Sequence, residues 1–149
     1  MLYARQLGWL HAVPQPDNPP KGAQPNCSTR LKEIADAGDK PEFPSVRAYR
    51  RLVSVLLDAG PSVVRGMGHS EIGYGELESW QRMRRQPLGP WEALTVRRMS
   101  KAYVSEMYAA EKASHPAPFS TPQGRMRAKR RQTQALRNQM RAKAGKEPK

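Results

Sequence analysis

The residues able to do chemistry in this 149-residue chain are few and scattered: His11, His69, His115, Cys27 and a glycine-rich run from Val64 to Glu71. A metal centre needs His, Cys or carboxylate ligands at convergent spacing, such as two histidines one helical turn apart, and these three stand in three separate loop-like segments. A single cysteine excludes an intramolecular disulfide and a multi-thiolate zinc site, and Cys27 has no histidine near it in sequence to favour the thiolate. The run Val64 to Glu71 holds Arg65, Gly66 and Gly68, the makings of a phosphate cradle. It lacks the Lys followed by Ser or Thr that ends a nucleotide-binding loop, so a plain inter-helix loop is the expectation. No serine sits in a Gly-x-Ser-x-Gly elbow. The residue types give no catalytic set, metal site or cofactor site, and the chain reads as a binding protein and not an enzyme.

Cationic chemistry is concentrated at one end. Ser120 to Lys149 carries ten Lys or Arg against the single acid Glu147, whereas the preceding residues hold sixteen basic and twelve acidic side chains out of a formal net charge of +13. Arg125, Arg127, Lys129, Arg130, Arg131, Arg137 and Arg141 are candidate contacts for nucleic acid or for an acidic partner. The segment has no aromatic residue to stack on bases and no heptad zipper after its basic run.

Aromatic side chains mark a second candidate region. Trp80 and Trp91 flank a joint with Leu88 between them, and at that spacing they are expected to pin two helices together or to leave one ring exposed as an anchor for a partner protein. The partner-binding set is therefore Trp80, Trp91 and Tyr103 as framework, with Arg82, Arg84 and Arg85 as a polar rim.

Three kinds of segment must position these groups. Residues 14–44 contain seven of the fourteen prolines. They read as a linker with at most a helical turn near Thr29 to Ala37, behind an apolar arm of Leu2, Tyr3, Leu7, Trp9 and Leu10. From Ser45 the spacing of Val46, Tyr49, Leu52, Val53, Leu56 and Leu57 predicts a helix that stops at Gly60-Pro61. A second helix, Tyr74 to Arg84, should bury Leu77, Trp80 and Met83. A third begins at Gly89-Pro90, runs to about Ala113, and offers Leu94, Val96, Met99, Ala102, Tyr103, Met107 and Ala110 as its apolar face. Gln123 to Ala144 is rich in helix formers but too poor in large apolar residues to join a core. The predicted fold is all-α: a three-helix domain at 45–119, an N-terminal arm and proline-rich linker at 1–44, and a basic helix or tail at 120–149. No apolar run reaches the ~20 residues of a membrane span, and no secretory leader is evident, so no membrane contact and a cytoplasmic setting are expected.

From Tyr49 to Phe119 the chain resembles a family of small proteins encoded among the tail genes of tailed bacteriophages and prophages, the tail assembly chaperones and their partners. The resemblance rests on Leu56 to Gly60, on Gly66-Met-Gly, and on Ile72-Gly-Tyr-Gly-Glu-Leu-Glu-Ser-Trp-Gln-Arg-Met. It continues through Leu88-Gly-Pro-Trp-Glu-Ala-Leu, Met99-Ser-Lys-Ala-Tyr-Val and Ala117-Pro-Phe. It implies a non-enzymatic role without cofactors, in the cytoplasm of a bacterial host, coating the tape-measure protein and recruiting tail-tube subunits before polymerisation. A nucleic-acid-binding regulator using the basic tail and a minor structural virion protein are the alternatives. Gly73 and Gly89 depart from the pattern, which has Asp or Ser before the second and third helices, and weaker capping is expected there.

Overall fold

The computed structural model describes residues 1–18, 22 and 24–144, with backbone alone for residues 131, 132, 135, 136, 139 and 142–144. Pro19 and Pro20 of the expected linker, the Arg131 side chain and Glu147 lie outside the described residues. The chain is mostly α-helical and divides into two compact units, Met1–Phe119 and Ser120–Lys149.

The first unit starts with helix α1, Leu2–His11, followed by α2, Arg30–Asp36, and α3, Arg50–Ala59. A hairpin of β1, Val63–Arg65, and β2, Gly68–Ser70, leads to α4, Tyr74–Arg84, and α5, Pro90–Ala109. Among the described residues the α-helices within 45–119 are α3, α4 and α5, with the hairpin between α3 and α4, and α1 and α2 of the expected arm and linker belong to the same unit. The arm folds because Ala4, Leu7 and Leu10 recur at threes and give α1 a buried stripe. Gly8 lets that stripe reach α5: a Cβ there would collide with the Tyr103 carbonyl, so the two backbones touch.

The proline-rich segment is tied down by polar bonds. Gln6, buried, donates to the Glu42 carbonyl and accepts from the Phe119 N–H, both at 3.0 Å, while Tyr3 stacks on Phe43. Gln15 pairs in parallel with Lys112, and Asn26 donates to the Pro14 carbonyl and to Glu33. Thr29 caps α2 by accepting from the Lys32 N–H. Arg30, buried, forks onto the Ala110 and Lys112 carbonyls just past the end of α5, where a cation suits the orphan carbonyls, and stacks on Trp9. Among the described residues no buried side-chain polar atom lacks a partner.

The helices within 45–119 differ from expectation at their edges. Residues 47–49 form a 3-10 turn, so α3 starts five residues after Ser45, and it ends where Gly60 takes φ +87. Its buried face is Leu52, Val53, Val55 and Leu56, while Tyr49 and Leu57 face outward. Met83 is also exposed, and α5 closes at Ala109. The expected loop at 61–73 is a hairpin with Val63 opposite Ser70 and Arg65 opposite Gly68, turned by Gly66 at φ +59. Helix α5 fixes that hairpin: Ser100 Oγ donates to the Pro61 carbonyl and accepts from the Ile72 N–H, and the Tyr108 hydroxyl binds both the N–H and the carbonyl of His69.

The second unit holds α6, Pro122–Ala144. Pro122 opens it, and Thr121 Oγ1 accepts from the Gly124 N–H at 3.0 Å, so the helix carries its own start signal.

Candidate partner-binding groove

The polar residues of the Trp-Gln and Trp-Glu segments mostly serve the framework. Glu76 and Glu92 each stand three residues after a glycine N-cap and return a carboxylate oxygen to that glycine's N–H at 2.9 Å, the half of a capping box that glycine leaves intact. The second oxygen of each takes an arginine, Arg65 on Glu76 and Arg51 on Glu92. The Gly89 N–H first and Arg51 second hold the Glu92 carboxyl below the usual carboxylate range. The capping expected to be weak at Gly73 and Gly89 is thus reinforced from the third helical position. Gln81 accepts from the Leu88 N–H at 2.6 Å and Arg51 donates to the Pro87 carbonyl, so these two, with Leu88 packed on the core, fix the joint between α4 and α5.

The two tryptophans have different jobs. Trp80 is half-buried against the core and donates its indole N–H to Asp58 at 2.7 Å; Arg84 grips the same carboxylate with two bonds. Arg84 first and Trp80 second hold the Asp58 carboxyl below its ordinary range. Trp91 does not pin the helices: it is 63% exposed on the first turn of α5. Tyr103, expected in the partner-binding set, is buried, with its hydroxyl 2.9 Å from His11 Nδ1, and belongs to the core. Arg82 pairs loosely with Glu78 along the exposed side of α4, and Arg85 closes that helix in the left-handed conformation at φ +50.

An apolar groove that sequence reasoning did not find lies beside α3. Tyr3, Val46, Tyr49, Leu52, Val53 and Met99 line a cavity of about 400 Å³, with Thr95 on its α5 side and Met1 and Leu2 at its mouth. Beyond the shared Val46 and Val53 a shallower depression continues to Leu57 and Asp58, so Trp80 and Arg84 stand at that end. Thr95 donates its hydroxyl to the Trp91 carbonyl, and Trp91 stands one helical turn before it on α5. Exposed Tyr49 and Leu2 line the cavity, and exposed Leu57 lines the depression. Arg47 and Arg50 are exposed beside it and have no ion-pair partner among the described residues. The signal available in the sequence was the surplus of apolar positions on α3: Tyr49 and Leu57 extend the stripe past the width a buried face needs.

Chemistry of other kinds finds little to work with here. His11, His69 and His115 lie apart, bonded to Tyr103, Ser62 and Glu106 respectively, and among the described residues no group of three or more His, Cys, Asp or Glu could hold a metal ion. Among the described residues no helix is long and apolar enough to cross a membrane. Of the basic candidates, Arg125, Arg127, Lys129, Arg130, Arg137 and Arg141 are exposed on α6 and lie in the other unit. No protein-family model, no curated protein and no solved structure matches the chain.

Proposed function

We propose that the protein is a phage tail assembly factor of chaperone type, acting in the cytoplasm of the bacterial host. Its groove holds an amphipathic helix of the tape-measure or tail-tube protein until the tail lattice takes that helix over. The observation that carries this reading is the open apolar groove lined by Tyr49 and Thr95, with exposed Trp91 one helical turn before Thr95, in a chain whose Tyr49 to Phe119 stretch resembles the tail assembly chaperones. A helix laid in such a groove buries its apolar stripe, and Arg47 and Arg50, without an ion-pair partner among the described residues, favour acidic residues along its flank. An aromatic ring held on a rigid helix start is the usual kind of hot spot, because its contact area costs little side-chain entropy to order.

The test is binding of tape-measure and tail-tube proteins from the same tail-gene cluster to the full chain, to Trp91→Ala and to Tyr49→Ala. Each substitution should weaken binding roughly 30-fold, about 2 kcal/mol. Stability should change by less than about 0.5 kcal/mol, since both side chains are exposed. Equal binding by all three proteins removes the groove from the mechanism, and no binding to either partner removes the tail-assembly role.

A further inference from the structure

The basic helix has a geometry of its own, independent of the groove. From Pro122 to Ala144 there is no acidic residue and there are eight cations: Arg125, Arg127, Lys129, Arg130, Arg131, Arg137, Arg141 and Lys143. At ~100° of rotation per residue, positions 128, 132, 135, 139 and 142 fall on one strip about 80° wide, spaced alternately four and three apart. The sequence fills that strip with Ala, Gln, Ala, Gln, Ala and no charge. Arg127 and Arg131 occupy positions along one border of the strip, and Arg125, Lys129 and Lys143 along the other. A narrow, small and uncharged strip between two cationic borders is the shape required by a helix whose strip faces the floor of a groove with phosphates rising on both sides.

We propose that α6 seats in the major groove of duplex DNA and binds it with little regard to sequence. The major groove of B-DNA admits an α-helix, whereas the major groove of A-form RNA is too narrow and deep for one. The 23 helical residues span about 35 Å at 1.5 Å per residue, the length of one duplex turn. Alanine lets the backbone approach the base edges, and glutamine can donate to or accept from any of them. With no aromatic residue in the helix there is nothing to stack on unpaired bases, so single strands are disfavoured. Other occupants fit less well. A membrane surface needs a continuous apolar face, and Lys129 interrupts the side that carries Met126 and Met140. A second copy would set eight cations against eight, and a seam of Ala and Gln buries too little apolar area to hold a partner helix.

Two triple variants of the full chain test the placement, because they remove the same charge from different sides. Arg125→Gln, Arg127→Gln and Lys129→Gln remove three of the five border cations; Arg130→Gln, Arg137→Gln and Arg141→Gln remove the three on the far side. Binding to a ~20-base-pair duplex should be equal for two unrelated sequences, with a slope of log affinity against log salt near −4 to −5 from about five phosphates contacted. The border variant should lose at least about tenfold more affinity than the far-side variant, each with unchanged helix content by circular dichroism. Equal losses would overturn the groove placement. Tighter binding to the single strand, or displacement of the duplex by polyglutamate at equal charge concentration, would overturn DNA as the target. These outcomes are read without tape-measure or tube protein, so they stand or fall apart from the assembly role.

Discussion

Helix α1 has ten residues and one arginine, and half of it is buried in its unit; α6 has 23 residues and eight cations, and it is the helix of its own unit among the described residues. Length and intrinsic propensity favour α6, since Ala, Arg, Lys, Gln and Met are the better helix formers. What places α1 in a core is spacing. Ala4, Leu7 and Leu10 align, and Gly8 removes the side chain that would hold α5 away. In α6 the sequence offers Met126, Leu136 and Met140 as its large apolar residues, with nine residues between the first two, too sparse to make a stripe. A segment joins a fold through the continuity of its apolar face, and propensity alone does not bring it into a core.

The largest test of that contrast sets the two segments against each other. Gly8→Val should cost about 3 kcal/mol or more, because the new side chain meets the Tyr103 carbonyl and backbone cannot yield as a side chain does. Thermal denaturation should show a fall of roughly 10 °C or loss of the cooperative transition. Ending the chain at Phe119 should leave that transition in place. If the truncated protein loses it, the second unit contributes to the stability of the first and the contrast fails.

Next in size is Arg30. Replacing it with Met keeps most of the apolar stem but leaves the Ala110 and Lys112 carbonyls without their donors, a loss of about 2 to 3 kcal/mol for charge-assisted bonds in a buried place. Arg30→Lys should recover only part, since a single ammonium cannot reproduce the fork. Denaturant midpoints of the three proteins give the order directly. Full recovery by Lys would mean that charge alone, without the geometry, holds α2 to the end of α5.

The sequence patterns made the helices legible where period and punctuation agreed. Tyr74 to Arg84 is α4 residue for residue, with Gly73 before it, and the turn foreseen near Thr29 to Ala37 is α2 with Thr29 as its cap. The place of residues 1–44 was not legible, because the bonds that tie them down are side chain to backbone over long separations: Gln6 to Glu42 and Phe119, and Arg30 to Ala110. No local pattern announces such a bond. The hairpin was hidden for a similar reason: its two strands of three residues have no alternation to read, and its anchors, Ser100 and Tyr108, are far along the chain. Of the candidate site, Trp91 and the α6 cations could be named from residue type, but the groove could not, since it is the space left where the 3-10 turn departs from the helix expected at Ser45.

The smallest effect tests how α1 is seated on α5 chemically. His11 lies half-buried with Nδ1 2.9 Å from the Tyr103 hydroxyl, and burial lowers its pKa from the ordinary 6.5. With the folded value below the unfolded one, the unfolded chain binds the proton first as pH falls. The contribution is therefore complete above about pH 6.5, declines as pH drops toward the folded value, and stays lost below it. Melting temperature should decrease by a few degrees from pH 7.5 to 5.5. His11→Asn keeps a polar partner for Tyr103 but does not titrate, so it should flatten that part of the slope. An unchanged slope would mean that α1 opens far enough in the native state for His11 to take its proton from water, and that its seat on α5 is looser than the touching backbones at Gly8 require.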